Sequence, residues 1–88
     1  MSTLERLQSL LARDFDISPE RLQSDARLED LDIDSLRMIE ILFSVEDAFR
    51  ITVATEQAEL RARLKTFGDL VAYIDSLIAE QHPKEAPS

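Results

Sequence analysis

Apolar residues recur along this chain at spacings of three and four, not in the alternation of a half-buried strand, and that pattern predicts an all-α domain. A first helix opens at Ser2-Thr3-Leu4-Glu5, where a hydroxyl and a carboxylate stand at capping-box spacing, and lays Leu4, Leu7, Leu10 and Leu11 on one face. It is expected to fade near Arg13 or Asp14, because Phe15, Ile17, Ser18 and Pro19 lose the period and proline favours an extended residue before it. From Asp16 to Asp34 the chain reads as one long connection, with Ser18-Pro19-Glu20 opening a single helical turn and Leu22, Leu28, Leu31 and Ile33 as anchors. A connection of that length in a compact domain is often functional.

A second helix is predicted from Asp34 or Ser35 to about Phe49, with Leu36, Ile39, Leu42, Val45 and Phe49 as its stripe and Arg37, Glu40, Ser44 and Asp47 as its polar positions. Met38, Ile41 and Phe43 widen the apolar face, which places this helix centrally in a bundle. Thr55 is the candidate cap of a short third helix to about Leu64, with Ala58, Leu60 and Leu64 inward and Arg61, Arg63 and Lys65 outward. Thr66-Phe67-Gly68-Asp69 repeats the capping-box chemistry ahead of a fourth helix carrying Phe67, Leu70, Val71, Ile74, Leu77 and Ile78 and ending near Glu80. Residues 81–88 hold two prolines and no large apolar side chain, so they read as a disordered tail behind a folded domain of residues 1–80.

Composition narrows the function. A length of 88 residues supports one small core and leaves no room for a catalytic lobe. With 18 Asp plus Glu against 10 Lys plus Arg, the formal charge is −8, which repels nucleic acid and anionic lipid and favours basic protein surfaces. No apolar run reaches the roughly 20 residues of a membrane span, and the first residues carry neither a secretory core nor an Arg-rich transit pattern. The chain is therefore expected in the cytoplasm, as a monomer without membrane insertion.

Catalytic and metal chemistry find little support. There is no Cys, and His82, the one His, lies in the predicted tail, so thiolate sites, multi-histidine metal clusters and a Ser-His pair are all without ligands or base. Gly68 alone cannot form a phosphate-cradling loop. The acidic stretch from Asp25 to Asp34 lacks the interior Gly and terminal Glu of a calcium loop. No catalytic residue and no metal ligand is expected.

The stretch Leu31-Asp32-Ile33-Asp34-Ser35-Leu36, followed by Ile39-Glu40 and Val45-Glu46-Asp47-Ala48-Phe49, resembles the acyl carrier proteins (ACPs), whose Asp-Ser-Leu motif opens the second helix of a four-helix bundle. The resemblance runs from Leu4 to about Ile78. It implies that Ser35, flanked by Asp34 and Leu36, accepts 4′-phosphopantetheine from coenzyme A, and that acyl groups ride on the arm's thiol as thioesters for fatty-acid, lipid or polyketide-type synthesis. It implies a non-catalytic carrier, itself a substrate of a phosphopantetheinyl transferase and of acyl-ACP synthetase, ketosynthase or acyltransferase enzymes with basic surfaces. Arg37, Ile39, Glu40, Phe43, Glu46 and Asp47 are the implied partner-binding positions, and Leu42, Val45, Phe49, Val53 and Ile74 a core that an acyl chain could enter.

Three departures stand out. Asp32 occupies a position where the family usually has Gly, Arg37 reverses a charge on the docking face, and the segment from Thr55 to Lys65 is about three residues longer than is usual in the family. They favour a specialised carrier over the general fatty-acid one. Two other readings remain open on sequence: a D-alanyl or aminoacyl carrier using the same serine, and an unmodified acidic helical adaptor for a basic partner, in which Ser35 is an ordinary helix-start residue.

Overall fold

The computed structural model describes residues 2–53 and 57–83, and the regular elements in them are helical. Helix α1 spans Thr3–Phe15, α2 Ser35–Phe49, α3 Gln57–Arg63 and α4 Phe67–Gln81, with 3-10 turns at Pro19–Arg21 and Leu28–Leu31 in the long connection. The turn at Pro19–Arg21 is the one foreseen after Ser18; the turn at Leu28–Leu31 had no turn signal in the sequence. The expected cap Thr55 and the tail residues 84–88 lie outside the described residues, as do the side chains of Ala58 and Arg61.

Cap chemistry sets where the helices begin. Ser2 Oγ accepts from the Glu5 amide at 3.2 Å and donates to Glu5 Oε1 at 3.1 Å, which satisfies one orphan donor of α1. At α4 the capping box closes fully: Thr66 Oγ1 accepts from the Asp69 amide, and Asp69 Oδ2 accepts from the amides of both Thr66 and Lys65 at 3.1 and 3.0 Å. Those two amides hold the Asp69 carboxyl below its ordinary range. Helix α1 continues past its expected end to Phe15, because Asp16 takes a left-handed conformation and its amide and that of Ile17 both return to the Leu11 carbonyl.

The long connection is strapped to the start of α4. Leu28 donates to the Lys65 carbonyl at 3.0 Å, Phe67 to Ala26 at 2.8 Å and Gly68 to Ser24 at 2.8 Å, with an isolated antiparallel bridge between Arg27 and Thr66. Two orphan amides of the α4 terminus thus find partners in the loop. The loop's anchors Leu22, Leu28, Leu31 and Ile33 are all buried, as foreseen.

The core is built from Leu7 and Leu11 of α1, Met38, Ile41, Leu42 and Val45 of α2, Leu60 of α3, and Phe67, Leu70 and Ile74 of α4, all nearly or fully buried. Helix α2 differs from its expected register. Leu36 and Phe43 are 65 % and 66 % exposed, and Ile39 is half-buried, while Met38 and Ile41 take the inward places. Apolar residues surround this helix, so its period alone could not say which of them face the core.

The end of α4 is also tied down. Gln81 accepts from the Thr52 amide at 2.8 Å and donates to the Thr52 carbonyl at 2.9 Å, and the His82 ring bonds the Arg50 carbonyl. The sequence assigned both residues to the tail; the structure holds them against the segment that follows α2.

Candidate functional site

The site assembles at the start of α2. The two turns of the long connection bring the chain to Asp32, whose left-handed backbone (φ 60°, ψ 30°) ends the Leu28–Leu31 turn; Ile33 is then buried, which fixes where the next helix can begin. Asp34 is the cap: its Oδ1 accepts from the Arg37 amide at 2.8 Å, and its carbonyl accepts from Met38 at 2.9 Å. Ser35 is the first residue of α2 and is exposed. Its hydroxyl therefore sits beside the positive end of a 15-residue helix, where an attached phosphate is favoured by about 0.3 to 1 kcal/mol.

The outward face of α2 follows from its geometry. Each residue advances about 100° around the helix, so Leu36, Glu40, Phe43 and Asp47 stand one above another in a row. All four are exposed. Ser35, Ile39 and Glu46 border this row on one side, and Arg37 and Ser44 on the other. Exposed Leu36 and Phe43 in line, with carboxylates between and after them, make an apolar strip with an acidic accent.

Not every expected site residue is equally available. Glu46 is half-buried, and its Oε2 accepts from the Val53 amide at 2.9 Å, so this carboxylate secures the chain after α2. Arg37 is exposed, with its guanidinium 5.8 Å from the centre of the Phe15 ring at the end of α1. Glu40 and Asp47 are exposed surface carboxylates.

A groove of about 400 Å³ lies beside the first turn of α2, lined by Leu28, Ile33, Met38 and Leu64 with Arg27, Glu29 and Lys65 among its polar members. The sequence reading placed the enterable core at Leu42, Val45, Phe49, Val53 and Ile74 instead. Of these, Leu42, Val45, Phe49 and Ile74 are buried and Val53 half-buried, and none of the five lines this groove. The signal missed was the loop, since Leu28 and Ile33 belong to the long connection. Among the described residues no group of acidic or His side chains is placed to hold a metal ion, and no helix is long and apolar enough to cross a membrane.

Comparison with known proteins supplies the context for this geometry. A family model described as a phosphopantetheine attachment site matches residues 5–74. An acyl carrier protein of Streptococcus pyogenes serotype M3 is 33% identical over 75 residues, covering 85% of this chain and 95% of its own length. One from Streptococcus pneumoniae serotype 4 is 32% identical over the same shares. One from Helicobacter hepaticus is 31% identical over 77 residues, covering 86% and 97%.

Proposed function

This chain belongs to the phosphopantetheine-bearing acyl carrier proteins, and from that membership we propose that Ser35 is the residue that takes the 4′-phosphopantetheine arm. The observation that carries the assignment is an exposed serine at the first position of α2, directly behind the Asp34 cap and within the tripeptide Asp34-Ser35-Leu36. When bound, the arm supplies a thiol that holds acyl groups as thioesters.

The chain's own residues do the rest. Asp34 fixes the first turn, so the hydroxyl of Ser35 is presented at the helix start. Asp32 and Asp34 also repel an incoming coenzyme A, and neither the single His nor any Lys stands near Ser35 in sequence to act as its base. The transferase must bring both the cation and the base, and the carrier is a substrate, not a catalyst. Leu36, Ile39 and Phe43 give apolar contact, Glu40, Glu46 and Asp47 steer basic enzyme surfaces, and Arg37 sets the border of the docking face. The partners are the phosphopantetheinyl transferase and acyl-handling enzymes of the acyl-ACP synthetase, ketosynthase or acyltransferase type.

The same reading takes the helices as a four-helix bundle with a short third member, forming a monomeric domain in the cytoplasm that reaches past residue 80 to include the held Gln81 and His82. Left-handed Asp32 and cationic Arg37, two residues to either side of the Asp34-Ser35 pair, support a carrier dedicated to one pathway.

Intact mass tests the proposal. Incubated with a phosphopantetheinyl transferase and coenzyme A, the wild-type chain gains the mass of one phosphopantetheine, while Ser35→Ala keeps its helical spectrum and gains nothing. A wild-type chain that stays unmodified, or a Ser35→Ala chain that gains the arm, overturns the assignment.

A further inference from the structure

Arg21 ends the first turn of the long connection and reaches across to the second. Its Nη2 donates to the Asp30 carbonyl at 2.8 Å, a bond that joins the turn at Pro19–Arg21 to the turn at Leu28–Leu31. The Asp30 oxygen needs that donor. The second turn ends on left-handed Asp32, whose amide returns to the Glu29 and Leu28 carbonyls, and the Ile33 amide also goes to Leu28. Among the described residues no backbone amide reaches the Asp30 carbonyl, so an orphan acceptor at the end of one turn is satisfied by a charged side chain from the other.

The charge of Arg21 and its direction have separate explanations. Arg21 lines a cavity of about 450 Å³ together with Asp14, Asp16, Asp32 and Arg37, and a second of about 470 Å³ that also includes Asp25 and Asp30. Those acids balance the guanidinium, yet among the described residues none forms an ion pair with it. The direct bond goes to backbone instead, and that backbone is the approach to Ser35. Burial of Leu31 and Ile33 fixes two side chains on either side of Asp32, but it leaves the exposed peptides at Asp30 and Asp32 to be held by hydrogen bonds. Rotation of those peptides would re-aim the entry into Asp34 and α2, and the Arg21 bond opposes it.

We propose that Arg21 is a positioning residue for arm attachment, holding the turn before α2 in the arrangement that presents the Ser35 hydroxyl to the transferase. The inference rests on the assignment of Ser35. Arg21 acts through the Asp30 peptide, five residues before the serine. Without the bond the turn samples other arrangements, and the enzyme meets the competent one only part of the time. Apparent affinity then falls in proportion to the competent fraction, so the loss appears in KM and leaves kcat nearly unchanged.

The test uses a phosphopantetheinyl transferase, coenzyme A, and wild-type, Arg21→Met, Arg21→Lys and Gln81→Ala carriers. Arg21→Met keeps a long side chain without a donor; it should raise KM about threefold to tenfold, change kcat by less than about twofold, and shift the amide resonances of residues 32–36. Arg21→Lys retains a donor and should recover most of that loss. The Arg21→Met effect should persist at high salt, which screens the surrounding carboxylates but not a direct bond. Gln81→Ala loses both bonds to Thr52 at the opposite end of α2, and should lower the urea midpoint without moving KM or those resonances. Circular dichroism verifies that the variants fold. A wild-type KM in Arg21→Met, an effect that salt abolishes, or the same effect in Gln81→Ala overturns the role of Arg21 and leaves the Ser35 assignment standing. If the wild-type chain does not gain the arm, the assignment falls and this inference with it.

Discussion

The Gly68 amide donates to the Ser24 carbonyl at 2.8 Å, and a methyl group built on Gly68 would lie 2.7 Å from that same oxygen. The close approach lets the long connection lie on the first turn of α4. Helix propensity alone says Gly68→Ala should stabilise by about 1 kcal/mol. Steric overlap with backbone outweighs it, because neither strand of the strap can move without loosening the neighbouring Phe67 and Leu28 hydrogen bonds. Gly68→Ala is therefore expected to destabilise by about 1 to 3 kcal/mol, read as a lower urea midpoint with an unchanged slope.

Asp69 makes the same junction sensitive to acid. Its carboxyl is held below the ordinary range by the Lys65 and Thr66 amides, so the contribution is fully present above the unfolded-state pKa of about 3.9 and is lost as pH falls through the lower folded-state value. Relief of the −8 net charge by protonation acts in the opposite direction, so the comparison must be with a variant. Urea midpoints of wild type and Asp69→Asn should converge as pH is lowered below about 4, wild type being the more stable at neutral pH. A gap independent of pH would show that the charge on Asp69 contributes nothing.

The two capping serine and threonine motifs, the Asp34 cap and the buried leucines were legible because each rests on a local rule: oxygen acceptors at helix starts and apolar residues at helical period. The ends of α2 at Phe49 and of α4 within a residue of Glu80 were legible from the period as well, but the backbone that makes the stops was not. Three segments stop on a left-handed residue, and the residues there are Asp16, Asp32 and Arg50, while the one glycine lies inside α4. The usual signal was absent from all three stops. The outward turn of Leu36 and Phe43 was hidden for a different reason: α2 is apolar on most of its circumference, and only packing against the other helices selects Met38 and Ile41 for the core. For the site, Asp34 and Ser35 were readable, whereas the Glu46 bond to Val53 and the loop-lined groove depend on tertiary placement.

Those stops carry their own prediction. Left-handed backbone costs an ordinary L-residue about 1 to 2 kcal/mol, less for Asp, whose short polar side chain tolerates the conformation. At Arg50, which caps α2 at φ 56°, Arg50→Gly is expected to stabilise by up to about 1 kcal/mol. At Asp32 the gain from Asp32→Gly should be smaller, offset in part by the greater freedom of glycine in the unfolded chain. Thermal unfolding of the two variants should rank Arg50→Gly above Asp32→Gly. An equal or inverted rank would mean that the Asp32 backbone is as strained as the Arg50 one.

Leu36 and Phe43 separate folding from docking within one helix. Because roughly two thirds of each side chain's residue surface is open, Leu36→Ala and Phe43→Ala should change stability by no more than about 0.5 kcal/mol. Met38→Ala, three residues from Ser35 and 2 % exposed, should instead cost about 2 to 5 kcal/mol through cavity formation. The order reverses in transfer reactions: truncating an apolar anchor at a protein interface commonly costs 1 kcal/mol or more, so each exposed-site variant should lower kcat/KM for arm attachment by about fivefold or more. Glu46→Ala is expected to fall between the two classes, losing about 1 kcal/mol with its bond to the Val53 amide and some encounter rate with its charge. Unfolding midpoints and transferase kinetics on the same four variants check the division. Loss of stability without loss of rate at Leu36 and Phe43 would assign that row to the fold and remove it from the docking face.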